Sequence, residues 1–167
     1  VHKTWPHIDQ IFARVFMTYP DAKIIVVGDK DSGVLVEPWN KEPRLVQKIG
    51  KWNIRESLAF ANQADLVIGP ETGVLSAVSM QKMPKIVFLS HSSHDNLTRD
   101  WENTFALFST KTACHPCHKL HYSWQTCVQN QDKTEDGKDQ PWAGAAQCQV
   151  DLPPEACWDA LTRALNP

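Results

Sequence analysis

Residues 69–73, Gly69-Pro70-Glu71-Thr72-Gly73, carry the densest local chemical signal in the chain. They follow an apolar run, Asp65-Leu66-Val67-Ile68, and lead into Val74, Leu75, Val78 and Met80 at helical spacing, so they read as a strand-to-helix turn. A helix start presents unpaired N–H groups and the positive end of the peptide dipoles, which suits a phosphate. Thr72 offers a hydroxyl donor there, and Gly73 lets a ligand approach the backbone. The same residues equally make an ordinary helix cap, with Thr72 or Glu71 satisfying the first turn. A carboxylate repels a phosphate beside it, so Glu71 is expected to face a sugar hydroxyl. Lys3, just ahead of Trp5-Pro6, is placed to reach into a neighbouring cleft, and as an isolated feature it equally reads as a solvated surface lysine.

A second grouping is Cys114-His115-Pro116-Cys117-His118, followed by Cys127 and Cys148. Two cysteines spaced C-x₂-C fit adjacent ligands of one tetrahedral zinc. Cys127 and Cys148 would complete a Cys₄ site, with His115, His118 and His121 as substitutes. One or two disulfides, or free buried thiols, are the alternatives. A Cys114–Cys117 bond would close a tiny, strained loop, so these two are expected to bond outward. The excursion 113–150 has few aliphatic residues and a charged middle over 130–141, too little apolar surface to order itself. A metal or disulfides would hold it to the rest of the domain. Cys157, in the last helix, reads as a small buried hydrophobe. His91 and His94 follow a strand and read as ligand contacts or as a polar surface loop. Trp101 and Trp124 read as stacking platforms or as packing residues.

The elements that must position these residues alternate. Ile8, Ile11, Phe12, Val15, Phe16 and Tyr19 recur at three and four, one face of a helix opened by Trp5-Pro6. Lys23–Gly28 is a β-branched run apolar on both faces, ending in the polar loop Gly28–Gly33. Residues 34–43 are irregular, and Arg44–Ile49 is a short strand. Asn53 caps a helix bearing Ile54, Leu58 and Ala61. Strands over 65–69, 85–89 and 105–108 follow, and Pro153-Pro154-Glu155 starts a last helix over 153–166. Strand–helix alternation with short loops predicts an α/β fold: a Rossmann-like parallel sheet with helices on both faces. Ligands then sit at the carboxyl ends of the strands.

With 167 residues, the chain is the size of one domain, 1–167. A net charge of −2 with 22% charged residues excludes a polyelectrolyte and gives no electrostatic footprint for nucleic acid. No apolar run is long enough to span a bilayer, and no charged-then-apolar leader is present. All five cysteines lie at or beyond Cys114, unlike a secreted disulfide scaffold, which points to a reducing, cytoplasmic setting. A start at Val1 reads as an excised domain or a processed chain.

Taken together, Lys3-x-Trp5-Pro6, the strand Lys23–Gly28, Gly50-Lys51-Trp52-Asn53-Ile54-Arg55-Glu56, Ala64–Gly73 and Asp151-Leu152-Pro153-Pro154-Glu155 resemble glycosyltransferase family 9, the ADP-heptose lipopolysaccharide heptosyltransferase group. The resemblance covers nearly the whole chain. It implies the C-terminal, donor-binding half of a GT-B enzyme, with the active site in a cleft against an N-terminal domain that carries the catalytic base. No catalytic residue is therefore expected in this chain, and the isolated domain is expected not to turn over. Lys3 would contact a phosphate, Thr72 and Gly73 the diphosphate, and Trp52 the base, with Gly28, Glu71 and Ser76 also in the donor pocket. The donor would be a nucleotide sugar, with ADP favoured and a heptose-like sugar, and the acceptor a glycan or lipopolysaccharide. The family has Asp where Glu71 stands and His where Ser76 stands. These departures suit the alternative of a non-catalytic ligand-binding or interaction module with the same fold. A zinc-bearing α/β domain with another ligand is the third reading.

Overall fold

The computed structural model describes residues 3–119, 127 and 145–166. Among the described residues five short strands form, β1 (Ile24–Val26), β2 (Leu45–Gln47), β3 (Val67–Pro70), β4 (Lys85–Phe88) and β5 (Thr104–Leu107). Every pairing among them is parallel. Ile24 lies opposite Leu45 in one ladder; Ile68 lies opposite Ile86, and Ile86 opposite Phe105, in the other. The sheet expected as one piece thus comes as two ladders, β1–β2 and β3–β4–β5. Five α-helices accompany them among the described residues, α1 (Ile8–Thr18), α2 (Ile54–Ala61), α3 (Gly73–Ala77), α4 (Gln147–Val150) and α5 (Pro154–Leu165).

β4 shows why the fold is layered. Its side chains alternate between two faces, and both are apolar. Ile86 and Phe88 pack with Ile11 and Val15 of α1 and Ala160 and Leu161 of α5. Val87 and Leu89 pack on Leu75 of α3, Leu97 and Trp101. Helices therefore cover both faces, which is the Rossmann-like α/β arrangement. Trp101 is a packing residue here. A second cluster joins Phe12 and Phe16 of α1 to Val36, Leu45 and Trp39. Cys157 is fully buried among apolar side chains, and burial pushes its thiol up to about 12.

Several boundaries differ from expectation. Trp5-Pro6 does not open the first helix, which begins at Ile8. Trp5 instead plugs into the core, its ring 4.3 Å from that of Phe88, and its indole N–H donates to the Leu152 carbonyl at 3.0 Å. His7 donates to the Val150 carbonyl at 3.0 Å, and Arg14 pairs with Glu155 at 3.0 Å. The segment around residues 3–14 is thereby clasped to the segment around 150–155. The stretch 34–43 is less irregular than expected, since two short 3₁₀ helices span Lys30–Leu35 and Glu37–Trp39. The Asn53 cap forms as a full capping box: Asn53 accepts from the Glu56 N–H at 3.0 Å, and Glu56 accepts from the Asn53 N–H at 2.8 Å.

The helix after Thr72 is the largest correction. It stops at Ala77, and Met80 is exposed instead of continuing the apolar face. The reason lies at Lys85. This lysine is fully buried at the start of β4, and its ammonium donates to the carbonyls of Gln81 and Met83 at 2.6 and 2.9 Å. Those carbonyls are committed to a turn, so the chain between α3 and β4 does not stay helical. Burial holds the Lys85 pKa below the usual lysine value, with the Glu102 charge opposing the shift.

Candidate functional site

The carboxyl ends of the parallel strands gather two groups of sequence-predicted residues. The first lies past β1 and β2. The Gly50 N–H donates to the Gly28 carbonyl at 2.9 Å, tying the two loops together. Gly28 has a φ of +156°, and a Cβ there would stand 2.6 Å from the Ser32 hydroxyl oxygen, so a larger residue would push the loop apart. Trp52 follows, half-buried, with the Phe60 ring 5.3 Å away and the Lys48 ammonium 5.1 Å from its ring centroid. Trp52 is thus already engaged by its own chain, with Phe60 tilted against it and Lys48 over its ring.

The second group lies past β3 and β4. Lys3 reaches across 68 residues of sequence and donates from Nζ to the Glu71 carbonyl at 2.7 Å. Thr72 is the N-cap residue of α3, yet its side chain makes no capping bond. Thr72, Gly73 and Ser76 are exposed, and a Cβ built on Gly73 meets nothing within 4 Å. The ordinary-cap reading therefore fails for both side chains proposed for it: Thr72 does not cap, and the Glu71 carboxylate turns elsewhere. With five residues α3 contributes little dipole, so attraction for an anion would come from N–H groups, the Thr72 hydroxyl and the Lys3 ammonium.

Glu71 is 6% exposed and does not face open solvent. Its Oε1 accepts from the Ser90 N–H, from the Ser90 hydroxyl at 3.0 Å and from the His91 N–H at 3.0 Å. Its Oε2 accepts from the Ser92 hydroxyl at 2.7 Å and lies 3.1 Å from His91 Nδ1. The carboxylate is consumed by the loop after β4, so it is not presented to a sugar hydroxyl as the sequence suggested. Burial alone would raise its pKa. The Ser90 N–H, the Ser92 hydroxyl, His91 and the Ser90 hydroxyl together outweigh that and hold it below the ordinary carboxylate value. Ser90 and Ser92 are the residues sequence reasoning missed. The only signal was two serines flanking His91 at a strand's carboxyl end.

The cysteine segment meets the same loop. The Ser90 carbonyl accepts from His115 Nδ1 at 3.0 Å and from the Cys148 thiol at 3.7 Å. The His118 N–H donates to the His91 carbonyl at 2.8 Å. All five cysteines are thiols, and Cys148 and Cys157 are buried. Burial pushes the Cys148 thiol up to about 11, aided by Cys127, Cys114 and Cys117, with Gln149 opposing. Burial likewise raises Cys127, with Cys114 and Cys117 adding to it. Among the described residues no three His, Cys, Asp or Glu side chains already stand in ion-binding geometry. His121, Trp124 and the stretch 130–141 lie outside the described residues.

His94 sits nearby, its Nδ1 2.8 Å from the Thr98 hydroxyl. It lines a cleft of about 390 Å³ with Ser93, Asp95, Phe108, Thr110 and His115. His94 and His115 line it, whereas Lys3, Gly28, Trp52, Glu71, Thr72, Gly73 and Ser76 do not. No helix among the described residues is long and apolar enough to cross a membrane.

No protein-family model matches the chain. No curated protein matches it either. Among solved structures, its fold is similar to that of E. coli ADP-heptose LPS heptosyltransferase II, with a TM-score of 0.67 at 11% sequence identity. The similarity covers 98% of this chain and 42% of that one, so the chain spans less than half the length of the protein it matches and shares its fold over that part.

Proposed function

We propose that the chain is the nucleotide-sugar-binding part of a glycosyltransferase, holding the donor diphosphate at the turn between β3 and α3. The observation that carries this reading is the Lys3 ammonium, fixed 2.7 Å from the Glu71 carbonyl beside exposed Thr72 and Gly73. An ammonium has three donors, and one is used here among the described residues. An ADP-sugar, heptose-like, is the favoured donor, because the structural neighbour is named for ADP-heptose. The acceptor is a glycan or lipopolysaccharide. Glycosyl transfer also needs a group that activates the acceptor hydroxyl, and that group is assigned to a partner domain across the cleft.

Binding of ADP and of adenosine, measured by calorimetry, tests the reading. ADP at a hundredfold excess over its dissociation constant is expected to stabilise the fold by about 2.7 kcal/mol. Lys3→Ala is expected to weaken ADP by roughly tenfold or more and to leave adenosine unchanged, since a point charge acts on phosphates. Thr72→Val, which keeps shape and removes a hydroxyl, is expected to weaken ADP by about 1–1.5 kcal/mol. Equal losses for ADP and adenosine would take Lys3 out of the phosphate site. No binding of any nucleotide would favour the non-catalytic module, for which the engaged Glu71 carboxylate is the supporting observation.

A further inference from the structure

We propose that Cys114, Cys117, Cys127 and Cys148 bind one zinc ion, and that this ion fixes the loop after β4 on which Glu71 depends. Cys148 lies 58 residues from Ser90 in sequence, yet its thiol donates to the Ser90 carbonyl at 3.7 Å. His115, which lies between Cys114 and Cys117, donates to that same carbonyl at 3.0 Å. The C-x₂-C turn and Cys148 are therefore held against a single backbone atom. The His118 N–H, one residue past Cys117, anchors the turn's other side on the His91 carbonyl at 2.8 Å.

The remaining sulfur completes the set. Cys127, ten residues past Cys117 in the same excursion, is the fourth sulfur that the sequence offers. The C-x₂-C turn and Cys148 thus meet at one carbonyl on one corner of the domain, and Cys127 adds a sulfur from the chain between them. An all-cysteine, four-ligand set selects zinc by softness and tetrahedral preference. The sulfurs do not yet stand in ligand geometry, so binding the ion draws them together and releases their protons. The Ser90, His91 and Ser92 donors that hold the Glu71 carboxylate sit on the loop that this corner grips. Through the position of this loop the metal would act on the proposed diphosphate turn.

The test begins with elemental analysis of the full 167-residue chain purified under reductant. About one zinc per chain is expected, falling to a small fraction in Cys117→Ser and in Cys148→Ser. Because either variant can fail to fold, the parent chain stripped of metal is also titrated with Co²⁺. Intense visible bands and a thiolate-to-cobalt charge-transfer band, saturating at about one equivalent, are the signature of tetrahedral thiolate ligation. Zinc that survives in Cys117→Ser, or the absence of both zinc and tetrahedral cobalt bands, overturns the proposal. So does the loss of the same four thiols to two disulfides in the freshly isolated chain. These readouts do not involve nucleotide, so they stand or fall separately from the donor-binding reading.

Discussion

Glu71→Ala is expected to lower the unfolding free energy by about 3–5 kcal/mol, the range for removing one side of a buried, hydrogen-bonded charge arrangement. The carboxylate accepts from three backbone N–H groups and two hydroxyls and faces His91. Deleting it takes this acceptor from the Ser90, His91 and Ser92 N–H groups, at about 1–3 kcal/mol for each one that stays buried and unpaired. The hydroxyls can re-aim, which limits the total. Glu71→Gln is expected to cost less, since one amide oxygen still accepts, although its NH₂ then confronts a donor. The pH dependence follows from the lowered pKa. A carboxyl held below its ordinary value of 4.5 contributes stability that is fully present above that value and is lost as pH falls through the folded-state pKa. Urea unfolding of parent and Glu71→Gln across the acid range checks this: the parent should lose stability more steeply on acidification. Parallel pH profiles would show that the carboxylate contributes nothing through its charge.

Trp5→Ala is the second large effect, expected at about 3–5 kcal/mol, the cost of truncating a buried tryptophan in a packed core. Trp5 is 3% exposed, packs on Phe88 and donates to the Leu152 carbonyl. Alanine opens a cavity between α1, α5 and β4 and leaves that carbonyl without its partner. Trp5→Phe retains most of the burial and is expected to lose about 1 kcal/mol for the indole hydrogen bond plus a smaller packing term. Trp5 also sets the position of Lys3, two residues upstream. ADP affinity should therefore fall in Trp5→Phe even where the chain is fully folded. An unchanged affinity would separate the core plug from the diphosphate turn.

The layered fold was legible because its signals are local. The spacing of Ile11, Phe12, Val15 and Phe16, the Asn53–Glu56 cap and the continuous apolar run through β4 each state their element within a few residues. What escaped was set by distant partners. Val74, Leu75 and Val78 continue a helical period, and nothing nearby warns that Lys85 will claim the Gln81 and Met83 carbonyls. A lysine at a strand's start reads as solvated, whereas here it is buried as a capping group for a turn. Glu71 read as a ligand-facing carboxylate because the donors that consume it lie about twenty residues on, in a loop without a distinctive motif. The placement of Lys3 on the same turn was legible only through a resemblance, since a lone lysine carries no address. Trp52 was likewise singled out only through the resemblance, and its contacts with Lys48 and Phe60 were not legible.

The clasp between the segment around residues 3–14 and that around 150–155 also bears on the order of folding. The Trp5–Leu152 bond closes a loop of 147 residues, and His7–Val150 one of 143. Such contacts form after the closure entropy of the intervening chain has been met, and they slow folding relative to local pairings. During synthesis residues 3–14 leave the ribosome before residues 150–155 and must wait, with Trp5 uncovered, until that segment has emerged. The strand ladders and α3 can assemble in that interval, but Lys3 cannot settle on its carbonyl until the clasp shuts. The cation of the diphosphate turn is then among the last groups to arrive, so a ribosome-bound chain stalled before residue 150 would hold the turn without its charge.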